Sequence, residues 1–137
     1  MVKVSNRNVT RSKRRPQNAP KRPRDLPRST HKLWSLVVEH LDELGILSPD
    51  VGPRLEIYCL AQASYRRASA YLRRYGITSR YQPQAWQVMR QAGRILSRFH
   101  ADYGLTPLAR HRLKRRGVIT AEAIERVTCR PATRKRP

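Results

Sequence analysis

Acidic residues are scarce in this chain: nine Asp and Glu stand against thirty Lys and Arg in 137 residues. Cysteine is scarcer still. Cys59 and Cys129 do not form a CxxC pair and are too few for the disulfide framework of a small secreted scaffold, so a reducing compartment is expected. No apolar run approaches the roughly 18 residues of a membrane-spanning helix. The basic N-terminal residues are not followed by the apolar stretch of a secretory signal, so none is expected. There is no glycine-rich phosphate loop and no nucleophile elbow. The histidines His31, His40, His100 and His111 never pair at helical spacing, and none stands at metal-ligand spacing from a cysteine. Glu39, Asp42, Glu43 and Glu56 lie on or beside predicted helices, where face-to-face ion pairs account for them. No catalytic residue, metal or cofactor is expected, and neither strand periodicity nor an internal repeat is present.

What the chain has in excess is positive charge, a net +21. So large an excess in so small a chain marks a polyanionic partner, nucleic acid before a membrane surface, because self-repulsion opposes a compact state unless something offsets it. Residues 1–32 carry eleven cations and Asp25; residues 110–137 carry ten and two acids; residues 33–109 carry nine arginines and six acids. A nearly balanced body holds two cationic ends. Arginine outnumbers lysine by 24 to 6, which suits bidentate phosphate contacts and the reading of guanine.

Residues 1–28 contain Pro16, Pro20, Pro23 and Pro27 and almost no large apolar side chain, which predicts a disordered basic arm. A first helix follows, with Ser29 or Thr30 as its cap and Leu33, Trp34, Val37, Val38, Leu41 and Leu44 on one stripe, stopped by Gly45. A second helix is expected from about Pro53 to Tyr75, and a third from about Gln84 to Tyr103. The stretch YRRASAYLRRYG in the second reads as core tyrosines beside solvated arginines in preference to a phosphate-contacting face. Gly93, inside the third helix, predicts close approach of another helix from the same chain or from a neighbouring subunit. Then comes GLTPLARHRLKRRG, residues 104–117: Thr106 caps, Pro107 takes the first helical position, and Gly117 ends a short basic helix. A last short helix capped by Thr120 and a basic tail complete residues 117–137.

The expected architecture is all-α: a small helical domain over residues 29–116 with a long antiparallel helix hairpin, flanked by disordered basic tails. The expected DNA-binding residues are Arg11, Lys13, Arg14, Arg15, Lys21, Arg22 and Arg24 in the arm, and Arg110, Arg112, Lys114, Arg115 and Arg116 in the short helix. The first two helices offer a helix-turn-helix reading, although their connector, GILSPDVGP, is longer than the usual 3–4-residue turn. A nonspecific architectural DNA- or RNA-binding protein and a transcriptional regulator share the same charge signature.

Three stretches resemble the small subunit of phage terminases: LWSLVVEHLDELGILSPD (33–50), LEIYCLAQASYRRA (55–68) and AWQVMRQAGRILSRFHADYGLTPLARHRL (85–113). The last ends in a Gly-Leu-Thr-Pro-x-x-Arg-x-Arg-Leu signature, here Gly104, Leu105, Thr106, Pro107, Arg110, Arg112 and Leu113. The resemblance implies a non-catalytic DNA-recognition subunit. Such a subunit assembles into a homo-oligomeric ring, binds double-stranded viral DNA and hands it to the terminase large subunit, which holds the ATPase and nuclease, in the host cytoplasm. Residues 117–137 are the expected docking segment for the large subunit.

Overall fold

The computed structural model describes residues 15–76, 78 and 80–129. A 3-10 turn, Arg28–Thr30, leads into α1 (His31–Glu43), followed by α2 (Val51–Tyr75), α3 (Gln82–Asp102), α4 (Pro107–Arg115) and α5 (Ala121–Thr128). No strand occurs among the described residues, and the fold is all-α as the sequence predicts.

The apolar stripe of α1 becomes the centre of the molecule. Trp34, Val37, Val38 and Leu41 pack on Val51, Leu55, Tyr58 and Cys59 of α2 and on Phe99 of α3. Leu41, Leu55 and Cys59 are completely buried, and withdrawing a leucine side chain from water stabilises the fold by about 1.5–3 kcal/mol. The α2 and α3 helices run antiparallel: Tyr58 meets Phe99 and His100 at the end covered by α1, while Tyr71 and Tyr81 line one groove near the tip. The end that carries α1 is the base of the hairpin. A smaller cluster of Leu44, Leu113 and Ile119, flanked by Ile124 and Val127, packs α4 and α5 there as well.

Helix boundaries differ from expectation where local bonding supplies what a cap would. Thr30 is buried and its hydroxyl donates to the carbonyl of Pro27 at 2.8 Å instead of accepting from a helix amide. The α2 helix begins at Val51, two residues before Pro53, because carbonyls of the preceding turn already satisfy its first amides: Val51 N–H donates to Ser48 and Gly52 N–H to Pro49, both at 3.2 Å. Likewise α3 begins at Gln82, with Pro83 at its second position.

Residues 15–28, expected as part of a disordered arm, lie along the base as a strap. Leu26 is 4 % exposed and belongs to the main core, and Ala19 packs against it. Arg15 donates to the Pro20 carbonyl at 2.9 Å, and His31 Nε2 donates to the Leu26 carbonyl at 2.9 Å. Prolines help here, since a chain with its φ angles already fixed loses less entropy on docking. The close approach of Gly93 to another helix within the chain is not found: a Cβ at that position meets nothing within 4 Å.

Candidate nucleic-acid interface

The short cationic helix α4 is positioned from both ends. At its start, the Thr106 hydroxyl accepts from Ala109 N–H at 3.2 Å and Pro107 takes the first helical position, both as the sequence predicts. Before it, Gly104 turns the chain at φ +66°, and Leu105 N–H donates back to the His100 carbonyl at 3.1 Å in a Schellman-type closure of α3. The same closure at Gly117 ends α4, with Val118 N–H donating to Leu113. His40 Nε2 donates to the Gly104 carbonyl at 3.4 Å, tying the turn to α1. Ala109 and Leu113 are the buried side.

The predicted cations then fall into four groups. Arg112, Lys114, Arg115 and Arg116 are exposed around α4. Cations at a helix C-terminus are favoured by the macrodipole, but that effect does not call for four. Arg110 behaves differently. It is half-buried beside Gly104, and its Nε is enclosed without an acceptor, so its stem packs the turn. On the strap, Arg15, Lys21, Arg22 and Arg24 are exposed, with Arg15 bonded to its own segment. Arg11, Lys13 and Arg14 lie outside the described residues.

The N-terminal turn of α2, which a recognition helix presents to a major groove, is covered over its first two residues, while Pro53 and Arg54 stay exposed. Val51 and Gly52 are buried, and Pro20 lies so close that a Cβ on Gly52 would stand 3.1 Å from its Cβ. This arrangement does not support the helix-turn-helix reading. Among the described residues no group of three or more His, Cys, Asp or Glu is placed to hold a metal ion, and no helix is long and apolar enough to cross a membrane. The fully buried Cys59 has its thiol pushed up to about 11 by desolvation, which keeps it protonated and unreactive.

One set of cations stands outside the expected site: those of YRRASAYLRRYG read as solvated in preference to phosphate-contacting, and those of α3 are not singled out. Arg66, Arg67, Arg73, Arg74, Arg80, Arg90, Arg94 and Arg98 are all exposed on the hairpin, and no Asp or Glu occurs between Glu56 and Asp102. The near-balance of residues 33–109 is therefore an average over two unlike parts. Residues 57–101 carry eight arginines and no acid, a net +8, whereas the rest of that span carries Arg54 and six acids, a net −5. Arg54 and Asp102 face each other across the base at 3.7 Å, an exposed pair of little energetic weight. The signal was present in the sequence as a 45-residue stretch without a carboxylate.

Fold and surface together define a small all-helical protein with cations concentrated on a short helix, a strap and a hairpin. The chain belongs to the family described as phage terminase, small subunit, whose profile matches residues 30–118. Membership gives it a role in phage DNA packaging, as a phage protein acting in the host cell, and implies DNA and a terminase large subunit as partners. No curated protein and no solved structure matches the chain.

Proposed function

We propose that this chain is the non-catalytic DNA-binding subunit of a phage terminase. It recognises double-stranded viral DNA in the host cytoplasm, works as a homo-oligomeric ring, and hands the DNA to the large ATPase/nuclease subunit. The observation that carries the reading is α4: three exposed cations on a nine-residue helix and a fourth, Arg116, at its C-cap, with the helix held to the base by Gly104, Thr106 and Leu113. The exposed strap residues Lys21, Arg22 and Arg24, with Arg11, Lys13 and Arg14 before them, extend the same electrostatic contact. Assembly is supported by one edge of the hairpin, where Ile57, Leu60 and Tyr75 of α2 and Val88 and Ile95 of α3 remain exposed together with Tyr81; apolar area of this extent on a small domain is characteristic of a contact surface.

The test is duplex binding as a function of salt. Each phosphate contact contributes about −0.9 to the slope of log K against log[salt]. Replacing Arg112, Lys114, Arg115 and Arg116 by Gln should make that slope shallower by roughly 3 to 4. An unchanged slope would remove α4 from the interface. Light scattering at high salt reads the assembly, and a clean monomer at all micromolar concentrations would count against the ring.

A further inference from the structure

We propose that the acid-free stretch of the α2–α3 hairpin is a second nucleic-acid-binding surface, distinct from α4 and the strap, and that it takes the phosphate backbone of duplex DNA. This inference rests on the DNA-binding reading above and adds a site to it.

The arginines form rows. Arg90, Arg94 and Arg98 follow at four-residue intervals on α3 and lie on the side opposite its buried residues Ala85, Ala92 and Phe99. Successive members rise roughly 6 Å along the axis, so the row is roughly 12 Å long. A single DNA strand advances about 3.4 Å per phosphate along the duplex axis, so the row spans three to four phosphate steps. On α2, Arg67 and Arg74 repeat at a seven-residue interval in line with Leu60, and Arg67 lines the groove that holds Tyr81 and Val88, so these two arginines border the apolar edge and the α3 row carries the site. At the tip, the guanidinium of Arg74 sits 5.5 Å from the ring centroid of Tyr75. That contact orients the guanidinium, and Tyr75, half-exposed, is not a core tyrosine.

Solvation alone does not account for this pattern. Like charges at i, i+4 destabilise a helix by a few tenths of a kcal/mol per pair, and α3 contains two such pairs in succession. A merely solvated face relieves this with Glu three or four residues before each Arg. Here the positions three before Arg90 and Arg94 are Gln87 and Gln91, which add no charge. The repulsion is relieved by an external anion, and a row of planar guanidinium groups matches phosphates through paired N–H donors. Along α3, Arg98 lies roughly 6 Å and Arg90 roughly 18 Å from the base end of the helix at Asp102, so the row starts near the base that carries α4 and runs away from it towards the tip.

The experiment compares three full-length proteins on one defined 30-base-pair duplex: wild type, the triple variant Arg90→Gln/Arg94→Gln/Arg98→Gln, and the corresponding Arg→Lys triple. All three positions are exposed, and circular dichroism checks that the fold is kept. The Gln triple should bind duplex with a salt slope shallower by about 2 to 3. The loss of affinity between 50 and 200 mM salt then becomes about 40-fold smaller than for wild type. The Lys triple should keep the wild-type slope. A Gln triple indistinguishable from wild type, while the α4 variant loses slope, overturns the second site and leaves the proposed function standing. A Gln triple that changes mass in light scattering without changing slope assigns the row to contact with another protein copy and also overturns it, as does an effect on single strands without one on duplex. A wild-type protein without salt-dependent duplex affinity overturns the function itself.

Discussion

Tyr58 Oη lies 3.0 Å from Nε2 of His100, 42 positions away in the chain, and the bond closes the α2–α3 seam just where α1 leaves it. Burial raises the Tyr58 phenol, with the neighbouring Cys59 adding to the shift and Arg66 opposing it, and burial lowers His100. Both shifts favour the same proton arrangement: the phenol keeps its proton and donates it to a neutral imidazole. The Tyr58 ring also stacks on Phe99 at 4.4 Å, and Phe99 stands 4.4 Å from Tyr103. Three aromatic rings thus run from α2 across α3 to the turn that launches α4.

Tyr58→Phe keeps the stack and removes only the hydroxyl. A hydrogen bond of this kind contributes about 1 kcal/mol, with more at stake when a buried partner is left without a donor. The variant should therefore melt about 4–8 °C below wild type, the shift expected per kcal/mol for a domain of this size. Calorimetry at neutral pH measures it, and an unchanged Tm would mean that the seam bond contributes nothing.

Acid should weaken the fold through the same pair. His100 is held below its ordinary imidazole range by burial, so below about pH 6.5 the unfolded chain takes up a proton that the folded chain resists. The unfolded state then binds more protons, and stability falls as pH falls through the ordinary imidazole value towards the lowered one. Urea unfolding at pH 7.5, 6.5 and 5.5 should show wild type losing stability more steeply than His100→Gln. Parallel losses in the two proteins would exclude His100 as the source.

Much of the architecture was written locally. The cap at Thr106, the proline after it and the glycines at 45, 104 and 117 are signals a few residues long, and each acts in the structure as short-range chemistry dictates. What was not legible depends on partners distant in sequence. Leu26, one leucine in a proline-rich segment, has no periodicity to announce it, yet it fills the main core because Trp34 and its neighbours leave room there. Ile119, just ahead of the Thr120 cap, becomes buried against Leu44 and Leu113. The hairpin arginines were left out of the expected site for a different reason: summing charge over residues 33–109 let the acids of the base cancel cations that lie mostly further along the hairpin. The covered start of α2 could not be read at all without knowing that Pro20 returns to it.

Gly104→Ala should be costly. A left-handed backbone already disfavours any side chain by about 1–2 kcal/mol, and the new Cβ would stand 3.0 Å from Leu113 Cδ1 and 3.3 Å from Arg110 Cγ. Leu113 is the buried anchor of α4 and cannot yield without opening the cluster it shares with Leu44 and Ile119. A destabilisation of about 2 kcal/mol or more is expected, together with earlier trypsin cleavage within α4 than in the hairpin. Cleavage that begins in the hairpin instead would mean that Gly104 does not govern the docking of α4.

Gly93→Ala separates the chain's own stability from its assembly. Within one chain the added methyl meets nothing within 4 Å, and replacing a mid-helix glycine by alanine stabilises a helix by about 0.5–1 kcal/mol. The isolated chain should therefore melt several degrees higher, since about 1 kcal/mol corresponds to 4–8 °C at this size. If a neighbouring subunit is what fills the space beside Gly93, the same methyl obstructs that contact. The variant would then dissociate at concentrations where wild type stays assembled. Melting of dilute protein and light scattering of concentrated protein read the two effects apart: a higher Tm with unchanged mass leaves Gly93 outside any subunit contact, and a higher Tm with reduced mass puts it inside one.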